Sequence, residues 1–220
     1  MNFFALEITI MQRWLLLVFV VMLGLAPPVS ADPPPGFVAL FNGKDLTGWK
    51  ATGKKDVWGA DNGVLFVAGG GGGWLLTEKE YANYELRLQY KMPKMGNSGV
   101  ALRTPDKGDP AYVGMEIQLI DDANWKGLQS WQHTGSIYNV VPAAKVNSKP
   151  FGQWNTVRIV ANGRKILVEH NGEILVDADL DQYKEHNKKH PGLTRTTGHI
   201  GFQSYNFRVE FKDIYLKTLP

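Results

Sequence analysis

Residues 155–179 read NTVRIVANGRKILVEHNGEILVDAD. Three short runs rich in Val, Ile and Leu are separated by Asn162-Gly163 and Asn171-Gly172. Asn-Gly between alternating apolar runs is the strongest short-range signal for a β-hairpin, because both residues tolerate the positive φ of a tight turn. The segment therefore predicts three consecutive antiparallel strands.

The same period extends outward. In YELRLQYKM (84–92), Tyr84, Leu86, Leu88 and Tyr90 face one way, and Glu85, Arg87, Gln89 and Lys91 the other. HIGFQSY (199–205) and RVEFKDIYLKTL (208–219) supply two more strands, and only a short helix over 181–188 interrupts the pattern. Regular short strands with Gly and Asn punctuation and almost no 3.6-residue period predict an all-β antiparallel sandwich or jelly roll over residues 37–220. DPPPG (32–36) is a stiff leader to it.

Residues 1–31 stand apart. Arg13 precedes WLLLVFVVMLGLA (14–26), and PPVSA ends at Ala31. A positive start, a short apolar run and a small-residue cleavage site describe a secretory signal peptide. The run falls short of the roughly 20 residues a membrane helix needs. The expectation is an exported protein, periplasmic or secreted, with no membrane attachment after cleavage. The chain has no cysteine. That excludes disulfides, thiolate metal sites and a lipid anchor on cysteine, and leaves stability to the core. A net charge of +3 with scattered basic residues gives no footprint for nucleic acid.

YVGMEIQLIDD (112–122) contains the unusual face. Met115, Ile117 and Leu119 suit a core, while Glu116, Gln118 and Ile120 lie opposite. In NSGVALR (97–103), Val100 and Leu102 go to the core, leaving Gly99, Ala101 and Arg103 on the other side. A solvated strand would carry Thr, Lys or Glu there. Short side chains next to a polar cluster predict a cavity floor. Strand alternation then sets Arg103 beside Glu116, as a functional partner or a structural ion pair. Gln203 and Tyr205 join that face from 199–205, and TGSIY (134–138) offers Tyr138. Trp74, Trp125 and Trp131 lie in loop-like sequence, where an aromatic face can stack on a sugar ring. The run GGGGG (69–73) is not followed by Lys-Ser/Thr and reads as a flexible loop rather than a phosphate cradle. His186 and His190 lie in a lysine-rich loop, so His133 is the histidine expected near the cavity.

FVALFNGKDLTGW (37–49), the glycine run with LLT, NSGVALR, GMEIQLID, TGSIY, WNTVRIVANG (154–163) and GFQSYNFRVEFKDIYLKTL (201–219) occur in one order. In these motifs the chain resembles the bacterial 3-keto-disaccharide hydrolase domain family. Tyr205 is one departure, at a position where the family more often carries histidine. The resemblance implies a concanavalin A-like fold with the sugar site on a sheet face, and a substrate whose C3 hydroxyl has been oxidised to a ketone. Laminarinase-type enzymes of that fold carry Glu-x-Asp-x-x-Glu on one strand. Here the run is Glu116-x-Gln118-x-x-Asp121, and the middle carboxylate has become an amide. Retaining glycosidases need two carboxyl groups about 5 Å apart, so the change favours different chemistry.

A C3 ketone acidifies the C2 hydrogen, so a base can form an enolate that expels the C1 substituent before water adds. The residues expected to act are Glu116 as base, Arg103 as partner of the ketone or enolate oxygen, and His133 as leaving-group acid. Asn97, Gln118, Asp121, Tyr138, Gln203, Trp74 and Trp131 are expected to bind the sugar. No redox cofactor is required. A divalent metal on Glu116, Asp121 and His133 is admitted by their chemistry. The competing readings are a non-catalytic carbohydrate-binding module and a conventional glycosidase of laminarinase type.

Overall fold

The antiparallel meander expected over 155–179 is present. In the structure, a computed structural model describing residues 32–220, it consists of β9 (Trp154–Asn162), β10 (Lys165–His170) and β11 (Glu173–Asp179). Asn171 and Gly172 both take positive φ, as a type I′ turn requires. At the first turn Asn162 pairs with Lys165, so Gly163 and Arg164 are the central residues. Only Gly163 has positive φ. That is the primed turn with glycine first, one residue later than the sequence reading placed it.

The remaining elements are β1 (Val38–Ala39), β2 (Trp49–Gly53), β3 (Trp58–Asp61), β4 (Val64–Val67), β5 (Gly73–Thr77), β6 (Tyr84–Lys91), β7 (Asn97–Thr104), α1 (Pro110–Val113), β8 (Met115–Ile120), β12 (His199–Gln203) and β13 (Val209–Thr218). They form two antiparallel sheets. One has the order β11-β10-β9-β6-β13-β4-β3, with β1 on β13; the other has the order β2-β5-β12-β7-β8. The helix expected over 181–188 is a 3₁₀ segment, Leu180–His186, broken at Tyr183.

The two inner faces carry the core. Leu86, Leu88, Ile159 and Phe211 of the larger sheet meet Val100, Leu102, Ile117 and Phe202 of the smaller one, all buried. Phe202 stacks on Phe211 at 4.2 Å across the sandwich. Each fully buried side chain of this size contributes about 1.5–3 kcal/mol, which offsets the missing disulfides. Leu86, Leu88, Val100, Leu102, Ile117 and Phe202 are on the faces that the alternation set apart from the polar residues.

At Arg103 the alternation fails. On β12, Gly201 pairs with Ala101 and His199 with Thr104, so Leu102 and Arg103 together oppose Ile200. This is a β-bulge, and Arg103 takes φ +50° within it. The extra residue turns the Arg103 side chain off the outer face and into the protein, where it is 0% exposed. Among the described residues no helix is long and apolar enough to cross a membrane. The leader read over 1–31 lies outside the described residues.

Candidate active site

The outer face of the smaller sheet carries a cavity of about 220 Å³. Its floor is β8, β7 and the end of β12, which supply Glu116, Gln118, Ile120, Asn97 and Gln203. One wall is α1 and the residue before it, with Asp109, Ala111 and Tyr112. The other walls come from the 125–138 connection (Trp125, Leu128, Gln132 and Tyr138) and from Tyr205. The volume is below the roughly 300–1,000 Å³ typical of pockets for drug-sized ligands, so it suits one sugar ring.

Glu116 is 2% exposed. Its side chain lies across β7 at Gly99: a Cβ built there would come within 1.9 Å of Glu116 Oε1. The small residue on the face therefore makes room for the carboxyl. Oε1 is buried with no hydrogen-bond partner, and so are Asn97 Oδ1 and Gln203 Oε1 on the same floor. Buried polar atoms normally have partners, so three orphan acceptors around one cavity suit a ligand rich in O–H donors. Burial pushes the Glu116 carboxyl well above the usual carboxylate range, and the charge of Asp109 pushes it the same way.

Gln118 has a fixed orientation. Its Oε1 accepts from the backbone N–H of Leu119 at 3.0 Å, which leaves the side-chain NH₂ as the donor on the cavity side. Tyr138 is held edge-on between Trp131 at 5.3 Å and Tyr112 at 6.4 Å. Burial first, then the neighbouring Tyr112 and Glu116, raise its hydroxyl above the ordinary value, keeping it a donor. Trp125 donates from Nε1 to Gly96 O at 3.2 Å, which locks its ring in the wall.

α1 is one turn long. Asp109 caps it by accepting from Ala111 N at 3.1 Å, and Pro110 follows in the first helical turn. Tyr112 stacks on His190 at 4.9 Å, fixing this wall to the 190s loop. Asp109 and Tyr112 were not singled out from the sequence, although Asp-Pro is a helix-start signal.

Of the residues expected at the site, Glu116, Gln118, Asn97, Tyr138 and Gln203 line one cavity, and the others do not. Arg103 is the main correction. Its guanidinium donates to the carbonyls of Ala82 (3.0 Å), Gly163 (2.7 Å) and Arg195 (3.3 Å) and to Asn83 Oδ1 (3.4 Å). It is a buried clamp between loops, turned inward by the bulge, and neither partners Glu116 nor lines the cavity. His133 is bound through Nδ1 to Asp122 Oδ1 at 3.0 Å, off the cavity lining. Asp121 turns back to accept from Met95 N at 2.8 Å. Trp74 is buried beneath the wall against Leu76, Ala101 and Ala111, and Trp131 touches the cavity only through Tyr138. Asp121 and His133 are turned to Met95 N and Asp122, and no group of three His, Asp or Glu side chains among the described residues is placed to hold a metal ion. Among the described residues no cationic side chain lines the cavity.

Comparison with known proteins gives a consistent result. The family model for the 3-keto-alpha-glucoside-1,2-lyase-like domain matches residues 36–217. A 3-keto-disaccharide hydrolase of Bacteroides thetaiotaomicron is 28% identical over 87% of this chain and 80% of its own length. The crystal structure of a candidate glycosyl hydrolase from Parabacteroides distasonis is 29% identical, with a TM-score of 0.73 over 84% of this chain and 94% of that one. A carbohydrate-binding module from Bacillus subtilis shares the fold alone, at 11% identity and a TM-score of 0.55 over 78% of this chain and 96% of the module. The architecture is the concanavalin A-like sandwich.

Proposed function

The chain belongs to the 3-keto-alpha-glucoside-1,2-lyase-like domain family, and from that membership we propose that it cleaves 3-keto-glycosides by removing the C2 proton and expelling the C1 substituent. The observation that carries this reading is Glu116: a carboxyl sealed at the floor of a cavity sized for one sugar ring, with an oxygen that nothing among the described residues engages. A carboxylate of raised proton affinity is what abstraction from carbon requires, since base strength and availability must meet near neutral pH.

The roles follow from the lining. Glu116 takes the C2 proton, and negative charge moves to the C3 oxygen. The Gln118 amide N–H and the Tyr138 hydroxyl are the donors able to meet that charge, replacing the guanidinium expected from the sequence. Asn97 Oδ1 and Gln203 Oε1 accept from sugar hydroxyls, and Trp125 offers its face. The ketone arrives ready made, so no redox cofactor is needed in this step. The leader read over 1–31 assigns the activity to the periplasm or the exterior.

A conventional retaining glycosidase would use an ionised carboxylate as nucleophile. Of the run Glu116-x-Gln118-x-x-Asp121, the middle group is an amide and Asp121 is turned away to Met95 N, so the strand does not supply the usual carboxylate set, which weighs against that role. The test is turnover of a 3-keto-disaccharide beside its unoxidised parent. The wild type is expected to cleave only the former, and Glu116→Gln to lose at least about 100-fold. Cleavage by Glu116→Gln at the wild-type rate would remove Glu116 from the chemistry. Cleavage of the unoxidised sugar would make the protein a conventional glycosidase, and binding without turnover a carbohydrate-binding module.

A further inference from the structure

Cleavage by this route leaves two proton transfers that Glu116 cannot make. While it holds the C2 proton, the departing oxygen needs a proton, and the water that later adds must lose one. Resting on the proposed 3-keto-glycoside cleavage, we propose that Asp109 makes both transfers. It would act as acid toward the leaving oxygen and then as base toward water.

Among the described residues Asp109 is the other carboxylate lining the cavity, and no histidine, lysine or arginine lines it. The two carboxyls occupy different levels. Glu116 is buried at the floor, whereas Asp109 is exposed at the rim, where a leaving group departs and solvent enters. Asp109 Oδ1 is held by the N-terminus of α1 through Ala111 N, so the group is fixed on a short helix packed against β8 and β7. Oδ2 is left for the substrate.

The steps balance. The two carboxyls repel each other's charge, so the pair shares one proton, and in the reacting form it sits on Asp109 while Glu116 is ionised. In cleavage the C2–H pair forms the C1=C2 bond by way of the C3 enolate. The C1–O bond breaks, the C2 proton goes to Glu116, and the proton of Asp109 goes to the departing oxygen. The sugar half is then a 2-hydroxy enone conjugated with the C3 ketone. In hydration the water oxygen bonds to C1 and its proton goes to Asp109. The C1=C2 pair returns through the enolate to C2, which takes the proton back from Glu116. Both carboxyls end as they began.

The experiment compares Asp109→Asn and Asp109→Ser, which keep a helix-capping side chain but cannot shuttle the proton. The substrates are a 3-keto-disaccharide and a nitrophenyl 3-keto-glucoside, whose leaving group needs no acid. The variants are expected to lose about 100-fold or more on the disaccharide and less than about fivefold on the nitrophenyl substrate, the pattern of a missing general acid. With the nitrophenyl substrate the sugar is expected to appear as the enone, seen by ultraviolet absorbance and as a mass one water lighter than the hydrated ketone. Equal losses on both substrates, or fully hydrated product from both variants, would overturn the assignment to Asp109. Failure of the wild type to cleave either 3-keto substrate would instead sink the underlying reading.

Discussion

Gly99 tests whether the position of Glu116 matters. Its φ is not in the left-handed region, so alanine suits the backbone there, and the effect of Gly99→Ala is confined to space. The added Cβ would lie 1.9 Å from Glu116 Oε1 and 2.6 Å from its Cδ and Cγ. Ordinary contact begins at 3.4 Å, so the carboxyl must move by about 1.5 Å. A displacement of about 1 Å at a reacting group costs about 100-fold in rate. kcat/KM for a 3-keto-disaccharide should therefore fall by about two orders of magnitude or more. Overpacking of this kind costs about 1–3 kcal/mol, a fall in Tm of about 2–12 °C for a chain of this length. The stability cost should vanish when Gly99→Ala is made in a Glu116→Ala background, because the clashing atoms are then gone. A Gly99→Ala variant within about threefold of wild-type kcat/KM would refute the reasoning, since the expected loss is about 100-fold.

Two further outcomes follow from the buried charges. In the unfolded chain Glu116 ionises in the ordinary carboxylate range, whereas in the fold burial holds the proton on. The native state therefore loses stability as pH rises from the ordinary range through the raised value. Glu116→Gln should match the wild type near about pH 4 and melt higher near about pH 8, as thermal melts across that range would show; a constant offset would contradict it. Arg103→Met should lower Tm markedly, because each carbonyl left without a donor costs about 1–3 kcal/mol. Turnover per folded molecule, measured by active-site titration below the melting range, should stay unchanged, as expected of a clamp outside the cavity.

Most of the sandwich was legible because its period is two. The alternation of 84–92, the Asn-Gly punctuation of 155–179 and the split of Met115, Ile117 and Leu119 from Glu116 and Gln118 are properties of single strands. Each needs only a strand's own sequence. Arg103 was misplaced because a bulge is a property of two strands. Nothing in NSGVALRT says that Ile200 will be opposed by two residues, and counting by twos through a bulge reverses every later side chain. His133, Asp121, Trp74 and Trp131 were placed by their nearness in sequence to the polar strands and by chemical character, which do not settle direction outside a regular strand. α1 is one turn and too short to show a helical period, so nothing periodic in the sequence marks its wall or Asp109. The small residues opposite the core were read correctly as making room, but what fills the space over Gly99 is the carboxyl itself.

The layered depth of the cavity has a kinetic consequence. With Glu116 at the bottom and the rim formed by Asp109, Tyr112 and Tyr205, the proposed cleavage requires the reacting sugar to go in first and its former partner to sit above it, on the way out. The partner must depart before a water molecule, or any other small alcohol, can reach the anomeric carbon. Release is thus ordered, the freed alcohol should inhibit by re-entering the vacated upper layer, and concentrated alcohols should compete with water to be transferred onto the sugar.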